Sequence, residues 1–98
     1  MYLIKFSKQA DKDKKLLKGA RLDGKAKEFL NIIADDPFKE PSPYEKLVGN
    51  LSGFYSRRIN IQHRIVYEVY VQETYEDGEA YEGFVKVARM WTPYGGMR

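Results

Sequence analysis

Apolar and polar positions alternate over Tyr2-Leu3-Ile4-Lys5-Phe6, which predicts a first strand, and Ser7 follows it as an N-cap for a helix beginning at Lys8. From Lys8 to Lys18 the apolar positions are few, chiefly Ala10, Leu16 and Leu17, so this helix is mostly wet. Gly19 offers it a stop in the left-handed conformation. A second helix is clearer: Leu22, Ala26, Phe29, Leu30 and Ile33 recur at i, i+4, i+7, i+8 and i+11 and form one apolar stripe. Gly24 weakens only its first turn. Asp35-Asp36-Pro37 ends it, and Pro37, Pro41 and Pro43 stiffen the irregular connection that follows.

Beyond Pro43 the period changes to two. Between His63 and Val71, Ile65, Tyr67, Val69 and Val71 share one face, while Arg64, Val66, Glu68 and Tyr70 share the other. Phe54 to Ile59 reads the same way: Tyr55, Arg57 and Ile59 point inward, and Phe54, Ser56 and Arg58 point outward. Asn60-Ile61-Gln62 is then a tight hairpin loop joining the two strands. With Ile59 and Ile65 against the helices, Arg58 and Arg64 emerge together on the open face. A last strand runs from about Phe84 to Trp91, after an acidic loop containing Asp77-Gly78. One strand, two helices and three further antiparallel strands make an α+β arrangement, βααβββ.

With 98 residues there is room for one domain and one modest core. Cysteine is absent, so no disulfide supplements that core, which suits a reducing cytoplasm. The N-terminus turns charged too early for a signal peptide, and no stretch approaches the ~20 apolar residues of a membrane span. A cytoplasmic protein without a membrane partner is expected. Seventeen Lys and Arg against fourteen Asp and Glu give a net charge of +3. The distribution is more telling than the excess, since Lys8 to Lys27 is dense in lysine and Glu73 to Glu82 is acidic. The lysines read either as a solvated helix face or as a surface that tracks a nucleic-acid backbone.

Guanidinium groups converging on an open sheet face repel one another unless an anion intervenes, so phosphate or carboxylate is the natural guest. Arg57, Arg58 and Arg64 gather in one neighbourhood, and Glu45 and Lys46 lie just upstream. Surface ion pairs with Glu45 or Glu68 would account for the same pattern. No glycine-rich phosphate loop, metal-ligand spacing or serine or cysteine nucleophile arrangement is present, which argues against metal and covalent catalysis.

Pro37-Phe38, Tyr44-Glu45-Lys46-Leu47, the run from Asn50-Leu51-Ser52-Gly53 through Arg57-Arg58-Ile59, and His63-Arg64-Ile65-Val66-Tyr67 closely resemble the YoeB/Txe family of bacterial toxins, part of the RelE superfamily. The resemblance extends to the lysine-rich first helix and to Met90-Trp91-Thr92-Pro93-Tyr94. It implies a single RelE-like domain over residues 1–98 and a ribosome-dependent, metal-free endoribonuclease that needs no cofactor and cuts mRNA in the A site. A YefM/Axe-type antitoxin would restrain it, with operator DNA bound only through the antitoxin complex, and the family often forms homodimers. By position, Glu45 matches the general base, Arg64 the transition-state arginine and Tyr94 a terminal tyrosine that orients substrate. Arg58 matches a phosphate contact, with Arg57 and Lys46 beside it.

Two departures stand out. Family members commonly end in His-Tyr, the histidine acting as general acid, whereas Pro93 precedes Tyr94 here and carries no titratable proton. His63 neighbours Arg64 on a strand and should point to the opposite face, in a structural role. A lysine that the family often places after the Glu motif falls on Val48, with Lys46 nearer to Glu45. Attenuated nuclease activity is therefore expected. The alternative is a binding protein that serves the antitoxin as transcriptional corepressor.

Overall fold

The computed structural model describes residues 1–39 and 44–91. Strand β1 (Tyr2–Phe6) leads into helices α1 (Lys8–Gly19) and α2 (Asp23–Asp35), followed by β2 (Tyr44–Lys46), β3 (Phe54–Arg58) and β4 (Arg64–Tyr70). A hairpin of β5 (Thr74–Glu76) and β6 (Glu79–Tyr81) precedes β7 (Gly83–Arg89). Five strands form one sheet in the order β1-β7-β4-β3-β2, while β5 and β6 pair as a separate ribbon. Among the described strands, only the β1–β7 pairing is parallel. Because β1 and β2 occupy opposite edges, the α1–α2 pair carries the chain across one face of the sheet, and among the described residues no helix covers the other.

The predicted apolar stripe is what binds the helices down. Ala10, Leu17, Ala26 and Ile33 meet Ile59, Ile65, Tyr67, Val85, Val87 and Met90 in one core, with Leu22, Phe29 and Leu30 packed around it. Full burial of a Leu, Ile or Val side chain contributes about 1.5–3 kcal/mol, so this layer supplies the main force holding helix to sheet. Ser7 acts as foreseen: its Oγ accepts from Ala10 N–H at 3.0 Å, and its hydroxyl also donates to the Ala88 carbonyl at 2.8 Å. One side chain thus starts α1 and ties that start to β7. Among the described residues, no helix is long and apolar enough to cross a membrane.

Three local expectations are corrected. Gly19 is the last residue of α1 rather than its left-handed stop; Arg21 takes that conformation, at φ 61°. Leu22 N–H bonds the Leu17 carbonyl and Arg21 N–H bonds the Lys18 carbonyl, the paired closure of a Schellman end. The motif positions its left-handed residue by these bonds, so it fell two residues beyond the glycine. Val71 does not join the core face, because β4 ends at Tyr70, and it is 72% exposed. The last strand stops at Arg89 rather than Trp91. The acidic segment folds as a hairpin, whose two-residue turn puts Asp77 at φ 50° and Gly78 at φ 81°, the geometry that matches strand twist.

Candidate active site

The open face gathers the site from three strands. In the β2–β3 and β3–β4 ladders Glu45 lies opposite Ser56, and Arg58 lies opposite Arg64. Residues directly opposed in an antiparallel pair share a face, so these four side chains project together, away from the helices. β2 is only three residues long, and its hairpin with β3 is closed by Leu47 N–H bonding the Phe54 carbonyl at 3.0 Å. Gly49 and Gly53, at φ 67° and 98°, supply the backbone conformations that the connecting turn requires.

Arg64 is the hub. Its Nη1 donates to Glu45 Oε2 at 3.0 Å and to Ser56 Oγ at 2.9 Å. The Arg64 side chain is 17% exposed and that of Glu45 is 58% exposed, so the guanidinium lies low and the carboxylate stands at the rim. An ion pair this wet contributes at most about 1 kcal/mol to stability. Tyr44, Glu45, Arg58 and Arg64 line a cleft of about 240 Å³. With two guanidinium groups against one carboxylate, this cleft suits an oxyanion, and the carboxylate stands beside the space the oxyanion would fill.

The structure brings Glu45, Arg58 and Arg64 together and leaves other predicted residues out. Arg57, expected among the phosphate contacts, is fully buried on the helix side of the sheet. It donates to Tyr67 Oη and to the carbonyls of Pro37 and Lys39, so its guanidinium is committed inside the protein. Lys46 pairs with Tyr55 and therefore shares the face of Tyr55 and Arg57, opposite Glu45. Period two forbids adjacent residues of a strand from serving one face, and this rule excludes both. Val48 stands 81% exposed in the following turn. Pro93 and Tyr94 lie outside the described residues.

His63 has the structural role expected of it. Its Nδ1 donates to the Trp91 carbonyl at 2.6 Å, and its ring stacks on Trp91 with centroids 3.8 Å apart. Ser56 is a site residue that sequence reasoning did not single out. Ser56 was in phase with Arg58, and that phase was the signal that could have found it. A second hollow of about 260 Å³, between α1 and α2, is walled by Leu17, Ala26, Leu30 and Met90 and holds none of the predicted site residues.

Residues 6–77 match the family model for YoeB-like toxins of bacterial type II toxin-antitoxin systems. The chain belongs to that family. It is 51% identical to the toxin YoeB of Synechocystis over 57 residues, 58% of this chain and 59% of that one. The chain thus spans about three fifths of the length of the YoeB sequences it matches. Structural likeness runs further along the chain: YoeB in the heterotetrameric YoeB-YefM complex of Staphylococcus aureus superposes with a TM-score of 0.70 at 33% identity, covering 96% of this chain and 99% of that one. The YoeB/ParE toxin of Agrobacterium tumefaciens superposes with a TM-score of 0.77 at 22% identity, over 94% of this chain and 99% of that one, a likeness of fold. The βααβββ reading is therefore correct for a RelE-like toxin, to which β2 adds an edge strand and β5–β6 a ribbon.

Proposed function

We propose that this chain, read as one toxin domain over residues 1–98, is a ribosome-dependent endoribonuclease that cuts mRNA in the A site. The observation that carries this reading is the contact of Arg64 Nη1 with Glu45 Oε2 in a cleft that also receives Arg58. Glu45 takes the proton of a ribose 2′-hydroxyl, and the freed oxygen attacks the adjacent phosphorus. The bond to the 5′-oxygen breaks, leaving a cyclic 2′,3′-phosphate and a 5′-hydroxyl. Charge building on the phosphate oxygens is met by Arg64 and Arg58. Ser56 holds Arg64 independently of Glu45, so the guanidinium keeps one anchor when the carboxylate turns to the substrate. DNA lacks the nucleophile and is not cut.

Glutamate is a weak base in water, so proximity to the 2′-hydroxyl must supply much of the rate. Pro93 cannot protonate the leaving oxygen, and water in the A site takes that role at reduced rate. Tyr94 orients the substrate. The S. aureus YoeB is found with YefM and also as a dimer. For this chain we assign a YefM/Axe-type antitoxin whose acidic residues take the place of phosphate over the arginine face, together with homodimer formation and a cytoplasmic location.

Primer extension on translated mRNA tests the nuclease: A-site cuts should appear with the unaltered chain and weaken sharply in Glu45→Gln and Arg64→Ala. Uncut mRNA under conditions of full expression would refute it. Pro93 favours one second reading, an antitoxin-binding corepressor without cleavage. Operator binding by the toxin-antitoxin complex with no A-site cuts would select that reading.

A further inference from the structure

Arg57 is a charged side chain with no exposure to water, at a position where a strand ordinarily turns an aliphatic residue to the core. Burying a guanidinium is costly unless its donors are met, and here they are met by an irregular stretch of backbone. Nη2 donates to the Pro37 and Lys39 carbonyls, both at 3.0 Å, and Nε donates to Tyr67 Oη at 3.2 Å. Tyr67 Oη in turn donates to the Pro37 carbonyl at 2.9 Å, so buried Pro37 accepts twice. Burial pushes the Tyr67 phenol up to about 12 although the Arg57 charge works against this, so the hydroxyl remains a donor over the working range.

The same guanidinium lies 5.5 Å from the ring centroid of Tyr44, its partner across the β2–β3 ladder. Tyr44 also packs against Phe38 and Tyr55, with centroids 5.5 and 5.9 Å away, while Phe38 and Tyr55 are 5.1 Å apart. Arg57 therefore grips Pro37 and Lys39 before residues 40–43 and Tyr44 after them. Tyr44 begins an edge strand of three residues, too short to hold its pairing by backbone bonds alone. A slip of one residue in such a strand turns every side chain to the other face. Keeping Tyr44 on the helix side is the same event as keeping Glu45 on the open side, beside Arg64.

We infer that Arg57 is a positioning residue: by holding Tyr44 and the Pro37–Lys39 backbone it fixes the register of β2 and so presents Glu45 to Arg64. This rests on the reading of Glu45 as the base only where catalysis is concerned; the register itself does not depend on that reading.

The experiment has two arms, using toxin released from its antitoxin complex. In the first, amide hydrogen exchange is followed in Arg57→Lys, with Tyr67→Phe as the gentler variant should the lysine fold poorly. Exchange at Tyr44 to Leu47 should rise at least ~10-fold while the β4–β7 pairing keeps its wild-type protection. Unchanged exchange in β2, or equal loss of protection across the whole sheet, overturns the inference. In the second arm, single-turnover cleavage on programmed ribosomes is measured for Arg57→Lys, Glu45→Gln and the double variant. Misplacement of the base should slow Arg57→Lys by up to ~10²-fold, with no further loss once Glu45 is already glutamine. Losses that multiply would overturn action through Glu45. Should Glu45→Gln cut at the wild-type rate, the base assignment fails, and the exchange arm still decides whether Arg57 sets the strand.

Discussion

Two arginine–carboxylate contacts of nearly equal length sit on opposite sides of this sheet. On the open side Arg64 meets Glu45 at 3.0 Å, with 58% of the glutamate side chain exposed. On the helix side Arg89 Nε meets Asp13 Oδ2 at 2.9 Å, with the aspartate fully buried. Burial works to raise the Asp13 pKa, but hydrogen bonds from Arg89, the Met90 N–H and Gln9, with the Arg89 charge, outweigh it and hold the carboxyl below its ordinary value. Asp13 is saturated by donors and clamps α1 to the end of β7. Glu45 keeps a face toward water. Distance does not separate these two contacts, but burial and solvent access do.

The largest expected effect breaks the open pair. Glu45→Gln should reduce A-site cleavage by ~10² to 10⁴-fold while stability stays within about 1 kcal/mol, as read by primer extension and urea unfolding. A large loss of stability would place this pair with the clamps. Asp13→Ala should do the reverse and cost about 3–5 kcal/mol, because Arg89 is left buried without its partner. Loss of cleavage without loss of stability in that variant would erase the distinction. Restoring an acid with Pro93→His should sharply increase growth inhibition on expression, through about 10² to 10⁴-fold in rate, and equal toxicity would refute the general-acid account.

The buried pair also has a pH signature. A carboxyl whose folded pKa is depressed contributes stability above its unfolded pKa, about 3.9, and loses it as pH falls through the lower folded value. Unfolding free energy should therefore decline below about pH 4, and Asp13→Asn should flatten that decline. The smallest effect calibrates the scale. Arg21→Gly, remote from both pairs, should stabilise by about 1 kcal/mol by relieving the left-handed residue at the end of α1, with no change in cleavage.

Adjacent arginines show where legibility ended. Arg57 and Arg58 are the same residue type one position apart, yet the first is an internal fastener and the second lines the cleft. Strand phase predicted that they diverge, and the inward phase of Arg57 was already visible. Grouping it with the phosphate contacts gave residue type precedence over phase. Lys46 neighbours Glu45 in the sequence, but its ladder partner Tyr55 places it on the other face. The β2 strand has three residues, too few for a period to show in the sequence.

By itself the sequence determined β1, the Ser7 cap, the stripe of α2, the alternation of β3 and β4 and the pairing of Arg58 with Arg64. Each of these depends on periodicity, capping or hairpin geometry, which act over a few neighbouring residues. Only the tertiary structure decided that Glu45 lies on an edge strand within 3.0 Å of Arg64, that Ser56 holds that arginine, and that Asp13 and Arg57 are sealed on the opposite side. Those outcomes depend on which segments of the chain meet across the sheet and on how much water is left between them. Neither is encoded in the spacing of residues along a single element.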